Sequence, residues 1–221
     1  MDQALTHLAG IALGGYFLWM WIGDYRAAAA GRPAKAPLAG AVPCGKSIIV
    51  VAVVGALIIL GIEVGGEYGL AAAGLASIDD QSDMSVLFGV YTLMAAFIEE
   101  LIFRGYLYYD RGSKAMLVGS VLIVSVVFAL GHPYIWDFQW PESAAWWQVW
   151  RLPEAHLSLD PRPLALFSTA IVFVRSLWFF AVRFAPQNPS RSLLPPIAAH
   201  LATNLGVFAV KAMQGQVVGW Y

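Results

Sequence analysis

The residues of this chain are gathered into apolar blocks of roughly 20, the length an α-helix needs to cross the hydrocarbon core of a bilayer. The blocks fall at about 4 to 22, 47 to 66, 84 to 109, 115 to 135, 164 to 184 and 193 to 213. They lack the period-two alternation of outer-membrane strands, so they read as helices, whose backbone polar groups are satisfied internally. The sequence therefore predicts an all-α polytopic integral membrane protein of about six transmembrane helices, a single transmembrane domain over residues 1–221. A composition of 59% hydrophobic and 12% charged residues, with mean hydropathy +0.66, departs from that of soluble domains in the same direction. The net charge of -1 offers no basic surface for nucleic acid. The expected partners are the lipid bilayer and a membrane-associated protein or peptide. Cys44 is the only cysteine, which excludes an internal disulfide and every cysteine-rich metal site.

The first block follows "MDQALTH", which carries Asp2 and no Lys or Arg, so it reads as a retained anchor rather than a signal peptide. Residues 25 to 46 have the Pro, Gly and Ala content of a connector, and 76 to 85 form an acidic polar loop. Basic residues in short loops mark the cytoplasmic side. Arg26, Arg32, Lys35 and Lys46 lie between the first two blocks, Arg111 and Lys114 between the third and fourth, and Arg183 and Arg191 between the fifth and sixth. This pattern predicts both termini outside. Residues 136 to 163 hold Trp136, Trp140, Trp146, Trp147 and Trp150 among prolines, and read as an interfacial helix lying on the membrane. Nine Arg against four Lys, with abundant Ala and Gly, fit a GC-rich bacterial genome and hence a bacterial inner membrane.

The stretch "FIEELIFRGY", residues 97 to 106, places Glu99, Glu100 and Arg104 inside the third block. Facing lipid, three such charges would cost on the order of 8 to 10 kcal/mol, so they must face protein or water. Glu100 and Arg104 are spaced i, i+4 with the acid first, and can neutralise each other as a supporting ion pair. Glu99 lies about 100° around the helix from Glu100 and needs another reason to be there. His132 closes the fourth block, and "HLATN" places His200 and Asn204 on one face of the sixth. Counted from the turns near 112 and 192, Glu99 lies about 20 Å deep, Asn204 about 18 Å, His200 about 12 Å and His132 roughly 25 to 30 Å. These depths are compatible with one polar active-site cavity inside the bundle. A carboxylate, two imidazoles and a carboxamide can supply a general base and oxyanion donors, as water attack on an amide requires.

"EELIFR", "FALGH" (Phe128 to His132) and "HLATN" resemble the EExxxR, FxxxH and HxxxN motifs of the CAAX protease and bacteriocin-processing (CPBP) family, in order, over roughly residues 84 to 213. The resemblance implies a glutamic-type intramembrane endopeptidase in which Glu99 activates water with help from His132, and His200 and Asn204 donate to the oxyanion. Glu100 and Arg104 would form the supporting pair, and Phe128 would be structural. It implies substrates such as prenylated CAAX proteins, peptide bacteriocins or C-terminal sorting segments. No cofactor is expected; a zinc-dependent peptidase using Glu99, His132 and His200 is an alternative, disfavoured by Asn204 at the fourth corner. A non-catalytic transporter or scaffold that binds a partner's transmembrane segment is the other. Other intramembrane proteases are disfavoured, because no HExxH, GxSG or GxGD occurs. Glu63 and Arg175 are further ionisable residues inside blocks, Arg175 in need of a carboxylate or carbonyl partner, and Gly10/Gly14 and Gly61/Gly65 form small-xxx-small pairs suited to close helix packing.

Overall fold

The computed structural model describes residues 2–77, 83–139, 141, 151 and 154–221. Its helices are α1 (Asp2–Ala29), α2 (Lys46–Ala72), α3 (Val86–Glu99), α4 (Lys114–Leu130), α5 (Pro163–Phe184) and α6 (Leu194–Met213). α3 passes directly into a π-helical segment, Glu100–Tyr106. The starts of α3 and α4 are set by serine caps, with Ser85 and Ser113 accepting from the Phe88 and Met116 amides. Proline in the first turn, where no intrahelical donor is lost, opens α5 and α6.

Apolar and polar residues are distributed as a bilayer demands. Val50, Val54, Leu57, Ile58 and Ile62 of α2 and Leu122, Ile123, Val126 and Val127 of α4 are exposed. Glu63, Glu100, Arg104, Ser125, Arg175, Ser176, His200 and Thr203 are buried. In water this arrangement would strand a large apolar surface; in lipid it is the low-energy one. Four stretches of the described residues are long and apolar enough to cross a membrane: Ala4–Ala29, Lys46–Ala72, Val86–Tyr106 and Pro163–Phe184. Six helices stand at the six blocks, and four stretches, the third of them α3 with its π-helical extension, meet the standard of a span. α4 stops at Leu130 after 17 residues, with Gly131 as its cap, so His132 lies just past its end rather than within it.

α6 is the central element, packing on α2, α3 and α5, while α1 lies against α3 and α4 against α5. One apolar cluster joins Trp21, Phe97, Leu101, Leu193 and Ile197; a second joins Ile48, Ala52, Ala56, Phe179, Val182 and Ala199. The connector after α1 is pinned rather than loose. Buried Asp24 accepts from the amides of Lys35, Ala36 and Leu38, and Gly40 and Val42 carbonyls accept from Leu193 and Ser192 at the start of α6.

The all-helical class holds, and one expectation within it is corrected: Trp136–Gln139 (β1) and His156–Leu159 (β2) pair antiparallel as a small ribbon, Trp136 opposite Leu159 and Gln139 opposite His156. Residues 136–139 and 156–159 of the segment read as an interfacial helix are therefore strands, because apolar and polar residues alternate along "WDFQ" and "HLSL" with the period of a strand. Trp140, Trp146, Trp147 and Trp150 lie outside the described residues.

The two glycine pairs also part company. A Cβ on Gly10 would lie 2.6 Å from the Tyr91 ring, and one on Gly14 would lie 2.9 Å from Met94 Cβ, so this pair makes the α1–α3 contact. Gly61 and Gly65 have nothing within 4 Å. Gly14→Leu is expected to lower the melting temperature in detergent by roughly 3 to 10 °C, from the usual cost of overpacking. Gly61→Leu, measured beside it, should leave the melting temperature unchanged.

Candidate active site

The i→i+5 bonding that begins at Glu100 widens the helix where the charged residues fall, a feature that often marks functional sites. Glu100 and Arg104 both point inward and are fully buried, Arg104 Nη1 lying 3.1 Å from Glu100 Oε1. The ion pair expected from their spacing is present. Arg104 Nη2 also donates to Ser176 Oγ of α5 at 2.6 Å, and that hydroxyl donates to Ser125 Oγ of α4 at 3.0 Å. The guanidinium stands 4.2 Å over the Phe128 ring, with Phe179 and Phe180 at 5.1 and 5.2 Å. Three ring faces and a hydroxyl thus share a cation that water cannot reach.

His200 joins the pair from α6. Its Nδ1 donates to Glu100 Oε1 at 2.8 Å, since a carboxylate can only accept. Its ring stacks on Phe179 at 4.9 Å and meets Phe128 edge-on at 6.1 Å. With Nδ1 so engaged, Nε2 is the free nitrogen, and it faces Glu99 Oε2 at 3.8 Å. That separation is beyond a hydrogen bond. The neighbouring glutamates differ sharply: the Glu99 side chain is 32% accessible and that of Glu100 is 0%. Glu100 is enclosed by protein, and Glu99 is the carboxylate with accessible surface.

His132 donates from Nδ1 to the Phe128 carbonyl at 2.8 Å, which leaves a lone pair on Nε2. Its ring lies 4.8 Å from Phe128, and it is close enough to Glu99, His200 and Arg175 for their charges to act on it. No hydrogen bond joins it to Glu99 among the described residues. Asn204 donates one Nδ2 hydrogen to the Thr92 carbonyl at 2.9 Å, which ties α6 to α3 and leaves its second amide hydrogen unaccounted for by that bond.

The structure brings Glu99, Glu100, Arg104 and His200 into one contiguous cluster and sets His132 at its edge. Sequence reasoning missed Ser125, Ser176 and Phe179, whose roles depend on which helices become neighbours and leave no local pattern. It also left Arg175 without a partner; the partner is Glu63, 112 positions away, whose Oε2 accepts from Arg175 Nη2. A cavity of about 500 Å³ opens beside the ribbon, lined by Pro133, Tyr134, Trp136, Asp137, Ser158 and Arg162, and by none of the four residues expected to line one. Among the described residues no three His, Cys, Asp or Glu side chains converge to hold a metal ion.

A helical bundle with an apolar exterior, and a carboxylate, an accessible glutamate and imidazoles at its centre, defines a membrane-embedded protein equipped for acid–base chemistry. Residues 81–206 match the family model described as Rce1-like, type II CAAX prenyl endopeptidase, and the chain belongs to that family, the CPBP family. The membership indicates a protease and an integral membrane protein. Comparisons with curated proteins and with solved structures return no match.

Removing one partner of a buried pair strands the other charge, so Arg104→Met is expected to cost about 3 to 5 kcal/mol of stability. Glu100→Gln combined with Arg104→Met removes both charges, and unfolding followed by circular dichroism in detergent should show a large part of that loss restored.

Proposed function

We propose that the chain is a glutamic-type intramembrane endopeptidase that hydrolyses a peptide bond near the tail of a membrane-associated protein or peptide, in a bacterial inner membrane with both termini outside. The observation that carries the reading is the accessible Glu99 carboxylate opposite the free Nε2 of a His200 that is oriented from behind by buried Glu100.

In this mechanism Glu99 takes a proton from water as the water oxygen bonds to the scissile carbonyl carbon. The Nε2 lone pair of His132 accepts from the same water and aims it. Negative charge develops on the carbonyl oxygen, and His200 meets it as an imidazolium, donating from Nε2 while Nδ1 remains on Glu100. The Glu100 carboxylate stabilises that cation much as a buried aspartate holds the histidine of a serine protease. Asn204 supplies a second donor from its remaining amide hydrogen. Glu99 then returns its proton to the amide nitrogen, the C–N bond breaks, and the released amine and carboxylic acid account for all atoms of water. No cofactor enters these steps.

Glu99 makes no buried ion pair of hydrogen-bond length, so Glu99→Gln is expected to fold as wild type and to lose cleavage of tailed membrane substrates by at least about a hundredfold, the scale of a lost general base. Cleavage that survives this substitution would sink the reading. A zinc chelator should leave the wild-type rate unchanged; inhibition that added zinc reverses would make Glu99 a ligand instead.

A further inference from the structure

The β1–β2 ribbon has two unlike sides. Alternate residues of a strand project to one side, and directly opposed residues of paired strands share it. Trp136 stands opposite Leu159 and Phe138 opposite Leu157, so these four apolar side chains form one side of the ribbon. Asp137, Gln139, His156 and Ser158 form the other. No charge falls on the apolar side.

The two sides are turned the opposite way from those of a ribbon in water. Phe138, Leu157 and Leu159 are 50%, 57% and 63% exposed, whereas Ser158, between the two leucines but on the polar side, is partly buried. The cavity of about 500 Å³ does not account for this, because neither Phe138 nor Leu157 lines it. An apolar side held outward is at low energy only against something other than water.

What it meets follows from where the ribbon is anchored. Residues 131–135 connect it to the end of α4, and residues 160–162 connect it to Pro163, where a stretch long and apolar enough to cross the membrane begins. Connections so short hold the base of the ribbon at the ends of two helices, where hydrocarbon gives way to headgroups. Trp136, on the apolar side, donates from Nε1 to the carbonyl of Leu130, the last residue of α4, at 2.8 Å. Leu130, Val127, Val126 and Ile123 are exposed and share one face of α4. The apolar side of the ribbon is thus joined through Trp136 to the face that α4 offers to lipid. A tryptophan at this level keeps its ring in the acyl boundary and its N–H on a polar partner.

We propose that the ribbon is a lipid-binding element: Trp136, Phe138, Leu157 and Leu159 enter the headgroup–acyl boundary of the bilayer, and Asp137, Gln139, His156 and Ser158 face away from it. His132 lies in the connection between α4 and β1, its ring parallel to that of Tyr134 at 6.2 Å, so the ribbon and this imidazole are held by the same short segment. Lipid binding of this kind is independent of the peptidase reading.

The test uses the full chain in lipid nanodiscs, with Cys44→Ser as the parent and single cysteines introduced as His156→Cys, Leu157→Cys, Ser158→Cys and Leu159→Cys. A nitroxide on each reports collisions with oxygen, which concentrates in lipid, and with a nickel chelate, which stays in water. The oxygen-to-nickel collision ratio is expected to be at least about threefold higher at 157 and 159 than at 156 and 158, approaching that of Val127→Cys on α4. Ratios that do not alternate, or that alternate with 157 and 159 the more open to nickel, would overturn the proposal. So would low collision rates with both reagents at 157 and 159, the sign of a protein cover; spin–spin broadening there that unlabelled chain dilutes away would identify the cover as a second copy. Maleimide reactivity of the same cysteines in the bilayer repeats the comparison before any bulky label is present. Ser158→Cys is expected to react at least about tenfold faster than Leu157→Cys, since a thiol in the acyl boundary is held from water and from ionisation. Equal rates would overturn the proposal.

Discussion

The burial of Arg104 governs how the rest of the bundle is arranged. A guanidinium with no water contact has to find its charge, its hydrogen bonds and its dielectric surroundings within the protein. Glu100 supplies the opposite charge from the same helix, Ser176 a hydroxyl from α5, and Phe128, Phe179 and Phe180 three ring faces from α4 and α5. Glu100 then carries His200 from α6. One cation therefore fixes the mutual placement of four helical elements, and the imidazole at the candidate active site is oriented as a consequence. Ion pairs of this kind contribute little net stability over apolar packing; what this one supplies is a defined position for the His200 ring.

The bundle holds two such pairs, Glu100 with Arg104 and Glu63 with Arg175. Around Arg104 three rings and the Ser176 hydroxyl enclose a guanidinium whose Nε makes no hydrogen bond among the described residues. Around Arg175 there is one carboxylate contact and an unpartnered Nε. The first arrangement reads as scaffold. The second lies one turn of α5 from the ring that supports His200. α5 thus links the two, presenting Arg175 and Ser176 in succession and Phe179 a turn later.

Much of this was legible in the sequence for identifiable reasons. Helices were readable because roughly 20 apolar residues in a row have few alternatives in a bilayer. The Glu100–Arg104 pair was readable because i, i+4 spacing is a local property of a helix, and it survives the π-helical widening. Legibility failed where alternation over four residues is outweighed by tryptophan content, which points to a helix where the structure has a β-ribbon. It failed again at the end of α4, where an apolar run continues past the glycine that stops the helix.

What the sequence determined by itself is therefore what depends on near neighbours in the chain: the membrane class, the helical elements, the family membership and the local ion pair. What only the tertiary structure decided is everything that joins residues far apart. Glu63 meets Arg175 across 112 positions, and His200 meets Glu100 across 100. Of two adjacent, chemically identical glutamates, packing buried Glu100 and left Glu99 accessible. The physical reason is that helix rotation and neighbour choice are set by summed packing over whole helix faces, a quantity that no short segment encodes.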